Sequence, residues 1–473
     1  MQRPVVLDPR TARILPWLVA IAFFMQTLDG TILNTALPSM ARDLAEDPLR
    51  MQAVVISYLL TVALLIPASG WLADRYGTRR IFFGAILLFT LGSLLCSIST
   101  SLNQLVISRV VQGMGGALML PVGRLAVLRA YPRHEFVNKM TLMTLPGLIG
   151  PLLGPLMGGW LVEYASWHWI FLINLPVGIL GCVAALHFMP VIKGPRQAFD
   201  TLGFILFGAA MVLITFALEG LGDLNMPHAR VMLLLFAGLA CLAAYWLRAG
   251  HIEQPLFSPS LFHMRSFAVG ILGNLFARLG SGALPFLVPL LLQVALGYSP
   301  AQAGLAMVPL AIGAMIIKPL AKPLIDRFGY RWTLTGNTLL LGGLLASLSL
   351  IDNHTSTLQL AIHLFLIGTV NSLQFTAMNT VTLIGLPDDQ ASSGNSLLSV
   401  VVQLSMSLGV ASAAALLSGF MLPDADQEAI LRAFHLTFLC VGSLAVLATA
   451  LFLQLDNTDT AGTAPHEDKL AED

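Results

Sequence analysis

Asp29 is the one acidic side chain that lies deep inside a long apolar stretch, in a sequence with 25 Asp and Glu residues. A carboxylate is costly to place in lipid, and removal from water favours its neutral form, so such a residue can bind and release a proton. Arg109 lies in another apolar stretch and is the natural partner for that charge. We predict that Asp29 carries an exchangeable proton and that Arg109 responds to its charge state. A permanent structural ion pair is the alternative.

The elements that hold these side chains must be membrane helices. The 473 residues are 56% hydrophobic and 11% charged, with a mean hydropathy of +0.80, whereas a soluble domain is about one quarter charged. Fourteen segments have the length and apolar character of a spanning helix, which predicts an all-α integral membrane protein. They lie near residues 14–38, 51–73, 81–100, 103–128, 138–161, 169–189, 201–219, 229–247, 267–295, 301–320, 332–351, 358–386, 393–420 and 431–454.

Basic residues are divided unequally between the connections of these helices. If the N-terminus is cytoplasmic, and the first two residues of each helix are counted with the connection before it, the cytoplasmic connections hold 17 Lys and Arg residues, the outer ones hold four, and four lie within helices. Because Lys and Arg are enriched on the cytoplasmic side, we predict that both termini are cytoplasmic. The formal net charge of zero gives no electrostatic basis for binding a nucleic acid.

One short sequence occurs twice. Asp74-Arg75-Tyr76-Gly77 follows the second predicted helix, and Asp326-Arg327-Phe328-Gly329 follows the tenth. This spacing is expected if helices 9–14 repeat helices 1–6 and helices 7 and 8 are an insertion. The predicted domains are a first six-helix bundle (1–190), two inserted helices with their linkers (191–266), a second six-helix bundle (267–455) and a cytoplasmic tail (456–473).

The repeated turns are predicted to act as a gating loop. Their charges lie at cytoplasmic helix ends, where they can cap a neighbouring helix or pair with its charges, and breaking such contacts would accompany opening to the cytoplasm. Simple anchoring by positive charge is the alternative. The predicted gating residues are Gly70, Asp74, Arg75, Gly77, Arg79, Arg80, Asp326 and Arg327.

The fifth predicted helix is rich in glycine and proline. Its glycines recur every four residues on one face, which permits close helix contact, and its prolines remove backbone donors and permit a bend. We interpret this face as a hinge or seal that couples opening of one side to closing of the other, with tight packing alone as the alternative. The residues are Gly150, Pro151, Gly154, Pro155, Gly158 and Gly159.

Several polar residues within the predicted helices could line a substrate cavity, although hydrogen bonding between helices is an equal alternative. Arg278 lies about a dozen residues into the ninth predicted helix and has no matching buried acid. Surplus positive charge there would favour an anionic substrate. The cavity candidates are Gln26, Asn34, Gln112, Asn274, Arg278, Gln293, Asn371 and Gln374.

Five motifs in a fixed order cover essentially the whole chain, and together they resemble the major facilitator superfamily in its fourteen-helix drug:proton antiporter branch. They are Leu28–Pro38 in helix 1, Gly70–Arg80 after helix 2, Arg109–Ala117 in helix 4, Gly147–Gly159 in helix 5 and Trp167–Gly178 at the entry of helix 6, where His168 stands in place of the usual Arg.

The resemblance implies a major facilitator fold, with two six-helix bundles plus two inserted helices, in a bacterial inner membrane. It implies a proton-coupled exporter of the drug or multidrug efflux type that works by alternating access and is not an enzyme. One alternative is an exporter of an anionic metabolite or a metal chelate, such as a carboxylate or siderophore-like compound. A transporter-like sensor is another. The expected partners are the small-molecule substrate, protons and the lipid bilayer, with no cofactor or metal and a monomeric state.

Overall fold

A computed structural model of the chain describes residues 8–195, 198–222, 226–387, 390–421 and 426–455. Within these ranges thirteen helices are long and apolar enough to span a membrane, and one further apolar helix is shorter. The prediction of an all-α membrane protein is therefore confirmed, while the predicted tail 456–473 lies outside the described residues. In chain order the helices are α1 (Pro9–Thr35), α2 (Pro48–Tyr76), α3 (Thr78–Ser97), α4 (Leu102–Ala130), α5 (Asn138–Tyr164), α6 (Trp169–Phe188), α7 (Thr201–Leu221), α8 (His228–Ala249), α9 (Arg265–Ala295), α10 (Pro300–Ile316), α11 (Lys318–Leu350), α12 (Thr357–Leu383), α13 (Ala391–Phe420) and α14 (Gln427–Phe452).

The helices pair in the same way in the two halves of the chain. In the first half α1 packs on α5, and α3 packs on both α4 and α6. In the second half α9 packs on α13, and α11 packs on both α12 and α14. The predicted repeat of six helices is thus visible as a repeat of helix contacts.

Two glycines replace the loops predicted after helices 2 and 10. Gly77, with φ of 93°, joins α2 directly to α3. Gly329, with φ of 74°, bends α11, so that residues 318–328 continue α10 and residues 330–350 form the next membrane helix. Glycine adopts positive φ without steric cost. The predicted loops are therefore too long, because the charged residues before each glycine are helical.

The inserted helices α7 and α8 pack on each other, and α7 also contacts α2 and α13. Asp200 anchors them, because its carboxylate caps Gly203 N at 2.9 Å, pairs with Arg248 Nη1 at 2.5 Å and accepts from Leu256 N at 3.1 Å. Since α2 belongs to the first bundle and α13 to the second, the insertion covers part of the seam between them.

The bundle has two ends, named here for residues that mark them. The Gly77 end includes the start of α1, because Tyr131, just after α4, donates its hydroxyl to the Ala12 carbonyl at 2.5 Å. The opposite end, where α5 finishes, is the Glu163 end. Several helices that begin there carry side-chain caps, which satisfy free backbone N–H groups. Ser101 caps α4, and Ser299 and Ser356 form capping boxes at α10 and α12.

Candidate functional site

The centre of the first bundle holds a buried ion pair. Asp29 on α1 and Arg109 on α4 are each 1% exposed, and Arg109 Nη1 donates to Asp29 Oδ2 at 2.7 Å. The structure thus brings together the two residues that the sequence analysis singled out. Two charges withdrawn from water cost several kcal/mol unless each is paired and hydrogen-bonded, so the surroundings of the pair determine its chemistry.

Two amides bind the second carboxylate oxygen. Gln112 Nε2 donates to Asp29 Oδ1 at 2.7 Å, and Asn174 Nδ2 on α6 donates to the same atom at 3.1 Å. Both amides also reach the Ser93 hydroxyl on α3, at 2.8 and 3.4 Å. Side chains of α4 and α6 therefore bind the carboxylate of α1 directly, and Ser93 links α3 to it through the two amides.

Arg109 has partners besides Asp29. Its Nη1 donates to Gln112 Oε1 at 2.6 Å, and its Nε donates to the Val54 carbonyl of α2 at 3.3 Å. The guanidinium carbon lies 4.2 Å from the centre of the Tyr58 ring, within the range of a cation–π interaction. Arg109 consequently keeps three favourable contacts when the carboxylate is neutral.

Glycines make this cluster possible. A Cβ on Gly92 would lie 2.5 Å from the Gln112 backbone, so only glycine lets α3 approach α4 closely enough for Gln112 to reach Ser93. A Cβ on Gly116 would lie 2.6 Å from the Tyr58 hydroxyl. The glycines around Arg109 in the α4 motif thus provide space for the cluster.

Ser93, Asn174 and Tyr58 belong to this site but were not predicted from the sequence. Asn174 lies in the motif at the start of α6, and this motif was the signal that could have identified it. Ser93 and Tyr58 are a common small polar residue and an aromatic residue in apolar helices, and nothing in their sequence context distinguishes them.

At the Gly77 end, Asp74 pairs with a residue that the sequence analysis also missed. Arg129 Nη1, at the end of α4, lies 2.5 Å from Asp74 Oδ1. Arg79 Nε donates to the Met189 carbonyl at 2.5 Å, which ties α3 to the end of α6. These contacts lie within the first half, so they brace that bundle. Of the other predicted gating residues, Gly70, Arg75 and Arg80 are exposed on α2 and α3.

The second copy of the turn lacks the corresponding ion pair. Among the described residues neither Asp326 nor Arg327 has one; the Arg327 guanidinium carbon instead lies 5.6 Å from the Phe328 ring centre. The repeated sequence therefore gives the same backbone bend in both halves but different side-chain contacts.

We expect Asp74→Asn and Arg129→Gln each to lower the free energy of unfolding by about 2 kcal/mol, the value of a partly buried charged hydrogen bond. The double variant should be no less stable than either single variant, because both remove the same contact. Thermal unfolding in detergent measures this coupling. Asp326→Asn is the matched control in the second repeat and should change little; equal losses for Asp74→Asn and Asp326→Asn would contradict the assignment.

The glycines of α5 have two different neighbours. Gly150, Gly154 and Gly158 face α1, where a Cβ on each would meet the hydroxyl of Thr27, Thr31 or Thr35 respectively. Thr31 Oγ1 donates to the Gly150 carbonyl at 3.2 Å, which fixes this contact inside the first half.

The other face of α5 meets the second half at the Glu163 end. A Cβ on Gly159 would collide with the Pro300 carbonyl, and a Cβ on Gly304 of α10 would collide with the Pro155 carbonyl. Glu163 Oε2 accepts from the Ser299 hydroxyl at 2.6 Å and from Ala301 N at 2.8 Å. The end of α5 and the start of α10 are therefore in backbone contact.

Apolar and polar contacts extend this closure, which we call the Glu163-end seal. Ile32, Leu33 and Leu37 of the first half share one buried cluster with Leu284 and Leu287 of the second. Gln293 Nε2 on α9 donates to the Thr35 carbonyl of α1 at 2.9 Å. The two halves are joined at this end by side chains and backbone from α1, α5, α9 and α10.

The remaining cavity candidates are dispersed. Arg278 is buried, and its Nε donates to Asn274 Oδ1 at 3.1 Å. Its guanidinium carbon lies 4.4 Å from the centre of the Phe375 ring. Gln374 is buried in a separate network with Asn337 and Thr338.

The other candidates also lie in different parts of the structure. Gln112 belongs to the ion-pair cluster, and Gln293 belongs to the Glu163-end seal. Buried Asn34 donates to carbonyls of its own helix, and Gln26 and Asn371 are half-buried on α1 and α12.

Comparison with known proteins identifies relatives of the whole chain. The model of the Major Facilitator Superfamily matches residues 19–201 and 270–472, and the stretch between them contains α7 and α8. The chain is 51% identical to "Putative multidrug resistance protein MdtD" of Pectobacterium atrosepticum over 447 residues, which are 94% of this chain and 96% of that protein. The protein of the same name from Serratia proteamaculans is 51% identical over 441 residues, 93% and 92% of the two chains.

Solved structures share the fold at low identity. A POT family transporter in complex with 5-aminolevulinic acid superposes with a TM-score of 0.71 at 16% identity, covering 96% of this chain and 97% of that one. A bacterial homolog of the human lysosomal transporter Spinster, in an inward-facing and unoccupied conformation, gives a TM-score of 0.68 at 15% identity, covering 96% and 98%. At this identity the likeness concerns the fold alone.

Proposed function

The chain belongs to the Major Facilitator Superfamily, and from that premise we propose that it exports drug-like small molecules by secondary active transport coupled to protons. It is a multi-pass protein of the inner membrane and a transporter, not an enzyme. Its relatives, named for multidrug resistance, are about half identical over most of the chain, which supports multidrug efflux. The anionic-substrate alternative is not favoured by these relatives.

The observation that carries proton coupling is the Asp29 cluster. Proton binding to Asp29 removes the negative charge that faces Arg109, while Gln112, the Val54 carbonyl and the Tyr58 ring remain to hold the guanidinium. The guanidinium therefore keeps a hydrogen bond to each of two oxygens and its ring contact when the carboxylate is neutral. The carboxylate or its amide partners are contacted by α1, α3, α4 and α6. The protonation state of Asp29 can therefore shift the position of α1 within the first bundle.

We assign the Gly77 end to the cytoplasm, because 17 of the basic residues fall on that side. Both termini are then cytoplasmic, and the Glu163-end seal closes the path toward the periplasm. This arrangement is the one in which substrate enters from the cytoplasm. Export then requires the seal to open, as alternating access demands. The Asp29 cluster and the Glu163-end seal are both formed within one chain, and we expect a monomer.

The function is tested with everted membrane vesicles whose lumen is acidified by respiration. We expect a lipophilic cationic dye to accumulate in vesicles that contain the transporter, and a protonophore to abolish the accumulation, because the pH gradient supplies the driving force. Vesicles without the transporter are the control. Accumulation that survives the protonophore would contradict proton coupling, and transport of carboxylate chelates without transport of cationic dyes would contradict multidrug efflux.

A further inference from the structure

A groove of about 220 Å³ lies on the second half at the bend around Gly329. Phe328 and Trp332 form its mouth and are 54% and 58% exposed, so the groove opens on the outer surface of the bundle. Gly336 and Leu340 continue it along the helix that follows the bend, and Leu373 of α12 forms its floor. In a membrane this opening faces lipid.

Unpaired cations flank the mouth. The guanidinium carbon of Arg327 lies 5.6 Å from the Phe328 ring centre, and that of Arg331 lies 5.6 Å from the Trp332 ring centre. Within the described residues neither guanidinium has an ion pair, and Arg331 Nε is buried without a hydrogen-bond partner. Asp326 is the acid nearest in sequence, against the basic residues Lys318, Lys322, Arg327 and Arg331 of the same helix.

The first half packs its own chain against part of the corresponding surface, although Tyr76, which corresponds to Phe328, is 42% exposed. Beside Gly77 lie Val191 and Lys193 of the linker that follows α6. Further along that linker, the Phe199 ring packs on Trp71, with 4.9 Å between ring centres. In the second half no described segment takes this place over Phe328 and Trp332. The linker thus packs beside the bend in the first half, whereas the part of the chain that the structure describes leaves the bend of the second half open.

We propose that this groove holds an anionic phospholipid of the bilayer. The phosphate binds between Arg327 and Arg331, at the depth where aromatic residues mark the lipid headgroups, and basic pockets between membrane helices are suited to anionic headgroups. One acyl chain follows the helix from Trp332 to Leu340, a rise of about 12 Å over eight residues. Lys322 adds to the positive field at the mouth.

Native mass spectrometry of the detergent-purified protein, with phosphatidylglycerol and phosphatidylcholine added in turn, tests the charge requirement. We expect phosphatidylglycerol to bind the wild type more tightly than phosphatidylcholine. Arg327→Gln with Arg331→Gln should weaken phosphatidylglycerol binding about 25-fold, about fivefold for each basic residue. Arg10→Gln with Arg13→Gln removes the same charge from exposed positions at the same end and should leave it unchanged. Equal losses in both double variants would overturn the proposal.

A second pair of variants tests the groove itself. A Cβ on Gly336 meets no atom within 4 Å, so Gly336→Leu fills the groove without disturbing the fold and should reduce the binding of both lipids. Gly343→Leu, on the same helix and equally open, lies outside the groove and should not. Binding that persists in Gly336→Leu would overturn the proposal. So would binding that arises only after residues 456–473 are deleted, because the chain's own acidic tail would then be the occupant.

Discussion

Asp29→Asn is expected to abolish export against a gradient. The dye accumulation driven by the pH gradient should fall at least about 100-fold, which is the size of effect expected when a group that transfers an essential proton is removed. The amide keeps the size of the side chain and can still accept a hydrogen bond, but it cannot bind and release a proton at neutral pH. Downhill movement of dye through the same variant should be affected far less, because it needs no proton exchange.

The same substitution leaves Arg109 buried opposite a neutral group. Removing one partner of a buried pair costs about 3–5 kcal/mol, although the Val54 carbonyl and the Tyr58 ring lessen the loss here. Loss of export by the single variant could therefore reflect poor folding. Asp29→Asn combined with Arg109→Gln removes both charges and should recover most of the unfolding free energy, measured by thermal unfolding in detergent, without recovering uphill export.

This double variant separates proton coupling from the alternative of a permanent structural ion pair. A structural pair can be replaced by two neutral residues with little loss once the fold is stable. If Asp29→Asn with Arg109→Gln exports dye against a gradient with unaltered pH dependence, Asp29 is not the proton carrier. Asp29→Glu keeps an ionisable group in the cluster and should retain part of the coupled export.

The sequence contained enough information to identify the two charged members of this site, because a buried charge is rare in lipid. It did not contain enough to identify the neutral members. Gln112 was assigned to a substrate path, although its position three residues after Arg109 places both on one face of α4. Asn174 and Ser93 come from other helices, and a single amide or hydroxyl in a membrane helix is too common to point to a site.

The helix ends illustrate a second limit. Hydropathy reports where a helix enters the hydrocarbon core, whereas the helix continues for as long as its backbone hydrogen bonds are satisfied. Asp74 and Arg75 lower the hydropathy after residue 73, yet α2 continues to Tyr76 and ends only at Gly77. The glycine, not the charged residues, was the signal for the turn, and the same is true at Gly329.

The glycines of α5 show why a motif can be located but not interpreted from sequence. Spacing by four residues predicts one packed face, and the structure has it: Gly150, Gly154 and Gly158 lie against α1. Gly159 lies on the adjacent face and meets a residue that follows it by more than 140 positions, Pro300. Sequence alone gives no means of separating the packing glycines from the one that closes the two halves together.

Gly159→Ala is expected to prevent closure of the Glu163-end seal and to reduce export by at least about tenfold, which corresponds to about 1.4 kcal/mol in the balance between conformations. The added methyl group would collide with the Pro300 carbonyl, and a backbone atom in a packed helix end has little freedom to yield. Only the conformation closed at the Glu163 end contains this contact. The variant should therefore favour the conformation in which that end is open.

Labelling of a buried residue in the seal measures this shift. Thr35 is fully buried there, and Thr35→Cys, in a chain without the four native cysteines, should react about tenfold faster with a membrane-impermeant maleimide when Gly159→Ala is present. Gly419→Ala is the matched control, because this glycine lies near the same end on α13 and a Cβ there meets no atom within 4 Å.

Gly150→Ala distinguishes a seal from packing alone. Its methyl group would collide with Thr27 of α1 inside the first bundle, a contact that rigid-body movement of the two halves does not break and that lies away from Thr35. It should therefore lower the unfolding free energy without increasing the labelling of Thr35→Cys. Gly159→Ala should do the reverse, with a small change in stability and a large change in labelling. If the two variants instead lose stability equally and label equally, the α5 motif is a packing element, and closure of the Glu163 end is controlled elsewhere.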